Sequence, residues 1–483
     1  MSNQSLIEAD RKHLIHPVIN YRAHEARGVT VLESASGAFL RDADGIELLD
    51  AFSGLWCVNV GYGQQSIVKV AAEQMARLPY ATSYFHFGNA PAIELAEKLV
   101  ELSPASLQHV YFTLGGSDAV DSAVRFITHY FNATGRPSKK HIIALERGYH
   151  GSSAVGAGLT ALPAFHRNFD LPLPNQHHIP SPYAYRNNFA DDAALIAASV
   201  AALETKVAEL GTENVAAFFC EPIQGSGGVI VPPFGWLKAM SDACRKLDIL
   251  FVADEVITGF GRTGPLFACQ AEDVQPDLMT VAKGLTAGYA PMGAVLMSDA
   301  VYQGIANGDA AAIVGHGHTY SAHPVSAAIG IEVLRLYHEG GLLENGVRHA
   351  ERFARGLNAL LAHPLVGDSR HRGLLGALEL VSDKATRQGF DPALKLSDRI
   401  TAAAYRNRLV FRAFGDNILG FAPALSYTEA EFDLMFERLE KTLDEVLAEP
   451  EVRAALKLTA ASGSAVPGAE SGAQGKVKTH VAA

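Results

Sequence analysis

Six short apolar runs, separated by stretches of helical spacing, constrain the fold of this chain more than any other feature. They are VYFTL, HIIAL, VAAFFCEPI, ILFVADEV, LMTVA and GAVLM, and all lie within residues 61–320. Strands that are apolar along their whole length are buried on both faces, as in parallel sheets that helices cover on both sides. The pattern therefore predicts an α/β fold with a large, mostly parallel sheet, whose ligands would bind at the carboxyl ends of the strands.

Segments of different pattern divide the 483 residues into expected domains. Within 29–50, the runs VTVLE, AFLRD and IELLD alternate with tight turns, which is typical of a small antiparallel meander. We expect the N-terminal segment, 1–60, and a helix-rich segment, 325–457, to form a smaller α+β domain beside a large domain of residues 61–324. The Ala-, Ser- and Gly-rich segment 458–483 is predicted to be a disordered tail.

Composition argues against several classes of partner. The formal net charge of −11 disfavours nucleic acid and anionic membranes, because both require clustered Lys and Arg. The four cysteines are widely spaced and form no Cys-x-x-Cys pair, which favours a reducing, cytoplasmic location. No apolar run is long enough to span a bilayer or to form a signal peptide. We expect no bound metal, since the histidines of GHGHTYSAH have no accompanying Cys or acidic motif.

A strand that ends in a glycine pair and leads into a helix is a candidate phosphate site. In VYFTLGGSDAVDSAVRFITHYF, apolar residues recur at helical spacing after Gly115 and Gly116. Glycines let the backbone approach a ligand closely, Ser117 can cap the helix, and the free N–H groups at its start favour an anion. Taken alone, such a turn is more often structural, and the missing G-x-G-x-x-G spacing argues against a dinucleotide.

An acid and a lysine follow two other apolar runs. Asp254 ends the run in FVADEVITGFGRTG, and Lys283 follows LMTVA. Lys283 lies between Ala282 and Gly284 in an apolar stretch, where desolvation would lower its pKa and leave a neutral amine able to attack an aldehyde. Asp254 can keep a pyridine nitrogen protonated so that the ring accepts electrons. Each residue alone is more often a turn cap or a surface charge, so only the combination predicts a function.

The order of these motifs resembles that of one enzyme family. GGSDAVD, GYHG, EPIQGSGG, ADEVITGFGR, AKGL and GHTYSAHP are together similar to class III aminotransferases, fold-type I enzymes that use pyridoxal 5'-phosphate (PLP), over roughly residues 10–450. LWCVNVGYG, EPIQG and LVFRAFGDNILGFAP look most like omega-transaminases with pyruvate as amino acceptor. The resemblance implies a large domain with a mostly parallel, seven-stranded type of sheet and a smaller α+β domain.

The resemblance implies catalytic and phosphate-binding roles for five residues. Lys283 would hold PLP as a Schiff base and, once released, would move a proton between the substrate carbon and the cofactor. Asp254 would pair with the pyridine nitrogen. Gly116 and Ser117 would bind the phosphate, and Thr319 would complete the phosphate site of a neighbouring subunit, which implies a homodimer or a dimer of dimers with shared active sites.

Further residues would surround the cofactor ring if the resemblance holds. Tyr149 would stack on one face of the ring and Val256 would pack on the other. Glu221 and Gln224 would lie beside the ring substituents. Considered alone, Tyr149 would be interpreted as an ordinary half-buried aromatic residue, and Val256 as an ordinary core residue. Their roles in the site therefore depend on the joint order of the motifs.

The substrate pocket implied by the family accepts two different substrates in turn. An amine or omega-amino acid gives up its amino group, and pyruvate or another 2-oxo acid then receives it by a ping-pong mechanism. Arg412 would pair with the acceptor's carboxylate and swing away for an apolar amine. Trp56 and Tyr84 would shape the space for the donor's side chain, with Ser226 near a gate.

Two other functions remain open from the sequence. One is a PLP-dependent decarboxylase or aminomutase on the same scaffold. The other is a non-enzymatic or dehydrogenase-like nucleotide-binding module that uses the glycine pair. The donor also stays open among beta-alanine, taurine, putrescine and aryl-alkyl amines.

Overall fold

The computed structural model describes residues 2–308 and 313–457, which form three β-sheets and the helices that surround them. The segment 458–483, predicted to be a disordered tail, lies outside the described residues. The strands, in chain order, are β1 (Leu32–Ser36), β2 (Phe39–Asp42), β3 (Glu47–Asp50), β4 (Leu107–Thr113), β5 (His141–Leu145), β6 (Gln176–Ile179), β7 (Val215–Cys220), β8 (Leu250–Asp254), β9 (Leu278–Val281), β10 (Gly293–Ser298), β11 (Val366–Arg372), β12 (Leu375–Leu380), β13 (Leu409–Val410), β14 (Arg412–Ala413) and β15 (Ile418–Phe421).

Helices connect most of these strands, and short 3-10 helices occur at Lys283–Leu285, Leu360–Ala362 and Pro392–Leu394. No helix in the described ranges is long and apolar enough to cross a membrane. The α-helices, in chain order, are α1 (Asn3–His13), α2 (Tyr21–Arg27), α3 (Ser53–Trp56), α4 (Gln65–Arg77), α5 (Ala90–Leu102), α6 (Gly116–Ala133), α7 (Ala154–Leu159), α8 (Pro163–His166), α9 (Asp192–Leu210), α10 (Trp236–Lys246), α11 (Ala268–Ala271), α12 (Asp299–Gly308), α13 (Pro324–His338), α14 (Leu342–Ala359), α15 (Leu396–Arg406), α16 (Glu429–Ala448) and α17 (Pro450–Ala455).

The largest sheet confirms the predicted α/β fold. Its seven strands follow the order β4-β10-β9-β8-β7-β5-β6. The five strands from β9 to β6 are parallel to one another, and β10 lies antiparallel between β4 and β9. All six apolar runs are strands of this sheet. Strand β6 was not predicted because its sequence, QHHI, is polar, which suits its place at the edge of the sheet.

Burial on both faces explains why polar and apolar residues do not alternate along the strands of the large sheet. In β7, Phe218 and Cys220 pack into one hydrophobic cluster and Phe219 packs into another. The first cluster contains Trp236 of α10, and the second contains Ala123 of α6. Helices therefore cover the two faces of the sheet, and its strand ends are the places where polar side chains can meet.

A second sheet contains the predicted meander. Strands β1, β2 and β3 are antiparallel in sequence order, and β13 joins β3 in parallel. The first strand is Leu32–Ser36, three residues later than the run 29–33 that the sequence indicated. The turn falls at Gly37, with φ of 58°, so the strand continues to Ser36, which lies opposite Phe39.

The third sheet and the last helices complete the described chain. The strand order of the third sheet is β11-β12-β15-β14, and every neighbouring pair of strands is antiparallel. Helix α13 begins at Pro324, where the sequence predicted the boundary between the large domain and the C-terminal segment. The hydroxyl of Tyr337 in this helix donates a hydrogen bond to the Gly284 carbonyl at 2.7 Å. The division into domains stays a prediction.

Candidate active site

A cavity of about 240 Å³ lies at the carboxyl ends of strands in the large sheet. Most of the residues that the sequence predicted for the site line this cavity, although they come from distant parts of the chain. These residues are Trp56, Gly116, Ser117, Tyr149, Glu221, Ser226, Asp254, Val256, Lys283 and Arg412.

A carboxylate and an imidazole form a buried pair in the wall of the cavity. Asp254 is the last residue of β8, and its Oδ2 lies 2.7 Å from Nδ1 of His150. Its other oxygen accepts a hydrogen bond from the backbone N–H of Val256 at 3.2 Å. Burial alone would lower the pKa of His150, but the hydrogen bond and the charge of Asp254 raise it above its usual value. The pair therefore holds a fixed carboxylate at the end of the strand.

A second carboxyl group lies one strand away. Glu221 follows β7, and its two oxygens accept hydrogen bonds from the N–H groups of Tyr149 and Gly225, both at 2.9 Å. Burial raises the pKa of this carboxyl to about 7, and the charge of Asp254 acts in the same direction. His150 and the two N–H donors oppose this rise. Glu221 is thus a group whose charge can change near neutral pH.

The amine of Lys283 faces the same cavity from the end of β9. Lys283 begins a 3-10 helix with a positive φ of 41°, a strained backbone conformation for a residue with a side chain. Its Nζ lies 5.6 Å from the centre of the Trp56 ring. Burial lowers the pKa of this amine, although Asp254 and Glu221 oppose the shift. A neutral amine at this position can act as a nucleophile or a base.

The start of α6 forms an open cradle beside Val256. Helix α6 begins at Gly116, and a Cβ at this position would lie 3.0 Å from Cγ1 of Val256. The sequence suggested Ser117 as the helix cap; this was wrong, because Gly115 is the N-cap residue and no side chain caps the helix. Instead, the Ser117 hydroxyl accepts a hydrogen bond from Ser152 N–H at 3.1 Å. The free N–H groups of the first turn remain available for an anion.

Aromatic side chains give the cavity an apolar surface. The Tyr149 ring packs edge-on against Phe165, at 5.4 Å between centres, and its hydroxyl lies 3.1 Å from that of Ser152. Trp56 is almost fully buried and packs against Phe414. Such a surface favours apolar parts of a ligand.

Arg412 is the cation of this apolar wall. Its guanidinium lies 6.0 Å from the Trp56 ring centre and 5.1 Å from that of Phe414. Among the described residues it makes no ion pair with a carboxylate, unlike nearby Arg147, which pairs with Asp416. Burial lowers its pKa, but a guanidinium stays charged at neutral pH. Arg412 can therefore bind an anionic ligand in the cavity.

Three predicted residues do not line the cavity. Gln224 is buried and donates a hydrogen bond to the Glu146 carbonyl at 2.8 Å. Tyr84 lies at the surface against Gly317, whose added Cβ would fall 2.3 Å from the tyrosine hydroxyl. Thr319 is exposed, and its carbonyl accepts a hydrogen bond from Tyr80 at 2.9 Å. The single chain does not place these side chains in the wall of the cavity.

Sequence reasoning missed several residues of the wall, among them His150 and Val18. His150 stands beside Tyr149 in the GYHG motif, so a signal existed, but its contact with Asp254 joins residues 104 positions apart. Val18, in the segment between α1 and α2, also lines the cavity, and nothing in its local sequence predicts this. Only the folded chain brings the N-terminal segment to the cavity.

Comparison with known proteins gives the same family as the motifs. The sequence matches the family "Aminotransferase class-III" over residues 21–443. A relative in Pseudomonas aeruginosa, a putrescine–pyruvate aminotransferase, is 40% identical over 443 residues, which cover 91% of this chain and 95% of that protein.

Solved structures of omega transaminases have the same fold. An (S)-enantioselective omega-transaminase from Thermomicrobium roseum is 37% identical, with a TM-score of 0.89, and the match covers 92% of this chain and 99% of that one. The omega transaminase from Pseudomonas jessenii, in complex with PMP, is 38% identical with a TM-score of 0.89, covering 92% and 98% of the two chains. The family match, the relative and the shared fold lead to one conclusion: this chain is a class III aminotransferase.

Proposed function

We propose that this aminotransferase moves the amino group of a primary amine or omega-amino acid to pyruvate or another 2-oxo acid. The observation that carries the proposal is Arg412, a cation without a carboxylate partner among the described residues, in a cavity with aromatic walls. The apolar wall suits an uncharged donor side chain, and the guanidinium suits the acceptor's carboxylate. The relatives that act on putrescine and pyruvate, or are named omega transaminases, support this choice.

PLP is the cofactor of class III aminotransferases, and the residues of the cavity fit it. A buried carboxylate, a lysine amine with lowered pKa and a helix start without side-chain caps face one space. These groups match three of the polar parts of PLP, which are its pyridine nitrogen, its aldehyde and its phosphate. Bound PLP supplies an electron sink for the negative charge that develops on the substrate carbon next to the nitrogen.

Four residues hold the ends of the cofactor in this proposal. Lys283 would hold it through Nζ, and Asp254, oriented by His150, would face the pyridine nitrogen and favour its protonated form. The N–H groups at Gly116 and Ser117 receive the phosphate, because a side chain at Gly116 would fill the cradle beside Val256.

The remaining residues shape the ring site and move the proton. Tyr149 and Val256 would cover the two faces of the ring, and Glu221 would lie on the side of its substituents. Gln224 does not line the cavity, so its predicted place beside the ring is not part of the proposal. When not bound to the cofactor, Lys283 would move a proton at the substrate carbon, and burial, which lowers the pKa of its amine, favours the neutral form that can accept this proton.

Arg412 selects between the two substrates. It forms paired hydrogen bonds with the carboxylate of the acceptor and turns away when an uncharged donor enters. Trp56 would limit the space for the donor's side chain, and Ser226 would lie at the entrance. Tyr84, which is outside the cavity of its own chain, would limit this space only in the cavity of a neighbouring subunit.

We further propose a homodimer, or a dimer of dimers, in which Thr319 completes the phosphate site of the neighbouring subunit. Thr319 is exposed in the single chain, and near Tyr84 the side chains of Phe85 and Phe87 are 81% and 67% exposed. Aromatic side chains this exposed favour burial against a second subunit. A cytoplasmic location is supported by the four cysteines, all free thiols.

An absorbance titration tests the proposed function. The cofactor band of the purified enzyme should bleach when an amine donor is added and return when pyruvate is added. Lys283→Ala should lack the band, whereas Lys69→Ala, at an exposed position of α4, should keep it. A band that bleaches with the amine but is not restored by any 2-oxo acid would contradict the proposal and favour a decarboxylase or an aminomutase.

A further inference from the structure

Three possible metal ligands from the first 24 residues meet outside the cavity. Asp10 belongs to α1, His16 to the connecting segment and His24 to α2. Nε2 of His16 lies 2.6 Å from one oxygen of Asp10, and Nε2 of His24 lies 2.8 Å from the other. One ligand atom from each residue lies within 4.8 Å of the others. This arrangement places two nitrogens and one carboxylate around a single point.

The three residues are partly buried. Asp10 and His24 are only 10% and 9% exposed, and His16 is 26% exposed. The two imidazole rings are 4.7 Å apart between centres. The neighbouring cation, Arg11, is directed towards the carbonyl of Ala26, at the end of α2. The fold therefore gathers two ring nitrogens and an anion and leaves this cation outside the cluster.

The chemistry of these ligands selects one class of ion. Imidazole nitrogen suits zinc, copper, iron and nickel, whereas magnesium and calcium require mostly oxygen ligands. Two histidines and one carboxylate, with water in the fourth position, form a common zinc coordination. An ion at this point would take the place of the protons that the two Nε2 atoms share with Asp10.

The cluster also holds the segment that reaches the cavity. Residues 14–20 connect α1 to α2, and Val18 of this segment lines the cavity. Val18 has a positive φ of 50° and is 69% exposed, so local preference and packing fix it only weakly. His16 and His24 lie on either side of it in sequence, and Asp10 joins them. Cross-links at both ends would hold Val18 in place.

We propose that Asp10, His16 and His24 bind one divalent transition-metal ion of the zinc class, and that this ion fixes the segment 14–20 at the mouth of the cavity. The metal site does not depend on the proposed substrates. The only effect of a bound ion on the cavity would be to fix the position of Val18.

Metal binding by the holoenzyme tests the site directly. After treatment with a chelator, the full-length protein is titrated with Zn²⁺ in a calorimeter, and bound zinc is counted by elemental analysis. We expect about one tight site per chain. Asp10→Asn, and separately His16→Ala with His24→Ala, should weaken it at least about tenfold, whereas His13→Ala, at the exposed end of α1, should not. Equal zinc binding in the Asp10 variant would overturn the site, and so would displacement of zinc by millimolar Mg²⁺ or Ca²⁺.

Hydrogen exchange tests the effect on the segment. Zn²⁺ should slow amide exchange within residues 14–20 at least about tenfold in the wild type and leave it unchanged in Asp10→Asn. Unchanged exchange in a wild type that has bound zinc would overturn the fixing of the segment. Both measurements read binding and backbone motion rather than turnover, so they remain informative if the proposed donor and acceptor are wrong.

Discussion

At the scale of single residues, burial sets the protonation of the groups in the cavity. The same desolvation that lowers the pKa of Lys283 raises that of Glu221, so burial favours the neutral form of both residues. The pKa of His150 is instead raised, because its hydrogen bond to Asp254 and the charge of Asp254 outweigh the effect of burial. The cavity thus holds one hydrogen-bonded pair, Asp254 and His150, beside two groups that can exchange protons.

Replacing Arg412 should separate the two substrates. Without the guanidinium, Arg412→Ala loses charge-assisted hydrogen bonds worth about 2 kcal/mol, so KM for pyruvate should rise roughly 30-fold. KM for an uncharged amine should change less than about threefold. Steady-state kinetics with each substrate varied in turn provide the measurement. Arg408→Ala, at an exposed position four residues earlier, is the control, and an equal effect on both substrates would remove the proposed role of Arg412.

Glu221 should make the stability of the cofactor-free chain depend on pH. Its pKa rises from about 4.5 in the unfolded chain to about 7 in the folded one, so the folded state binds the extra proton between these values. Stability should therefore fall as pH rises through this range, by up to about 3 kcal/mol at roughly 1.4 kcal/mol per pH unit. The raised pKa of His150 adds a loss of the same sign.

Chemical unfolding at a series of pH values measures this effect. Glu221→Gln cannot titrate, so its stability should decline less between pH 5 and pH 8 than that of the wild type, whatever its absolute value. Glu204→Gln, on the exposed side of α9, should keep the slope of the wild type. Identical slopes in all three proteins would show that Glu221 does not gain a proton on folding in this range.

At the scale of elements, the turn between β4 and α6 shows why two adjacent glycines differ. A Cβ on Gly116 would lie 3.0 Å from Val256, whereas a Cβ on Gly115 would meet no atom within 4 Å. The φ of Gly115 is −177°, an extended conformation that any residue adopts. Close approach to a neighbour, rather than backbone conformation, therefore requires the second glycine.

Alanine at these two positions should affect the cofactor differently. Gly116→Ala should weaken PLP retention at least about tenfold, because its methyl group crowds Val256 and the cradle at the start of α6. The cofactor-free chain should stay within about 1 kcal/mol of the wild type, since alanine also favours the helix. Dialysis followed by absorbance gives retention, with Gly115→Ala as the matched control. Equal retention in the two variants would contradict the predicted phosphate site.

At the scale of the whole molecule, a single chain leaves part of the predicted site apart. Thr319 and Tyr84 lie at the surface and do not line the cavity, although the motifs assign them to it. A second subunit would bring surface residues to a cavity that the single chain does not complete with them. The proposed dimer thus accounts for predicted residues that the single chain leaves outside its cavity.

Thr319→Ala should weaken PLP retention without changing the fold or the oligomeric state. The expected loss is about tenfold, the value of one hydrogen bond to a charged phosphate. Retention after dialysis is compared with Thr212→Ala, an exposed threonine distant in sequence, and light scattering gives the mass of both proteins. Unchanged retention in a Thr319→Ala dimer would show that the residue does not contribute to the phosphate site.

The sequence by itself determined six of the seven strands of the large sheet, the helix after Gly115 and many residues of the cavity wall. A continuous apolar run indicates, from local sequence alone, a strand that is buried on both faces. The carboxyl ends of parallel strands lie at the same edge of the sheet. Residues at those ends, such as Glu221, Asp254 and Lys283, therefore meet whatever the details of packing.

Only the tertiary structure decided which distant groups pair with them. The contact of His150 with Asp254, the position of Val18 at the cavity and the cluster of Asp10, His16 and His24 depend on how loops and the N-terminal segment pack. Such contacts have no period in the sequence, because they follow from the path of the backbone between elements and not from the burial of one face.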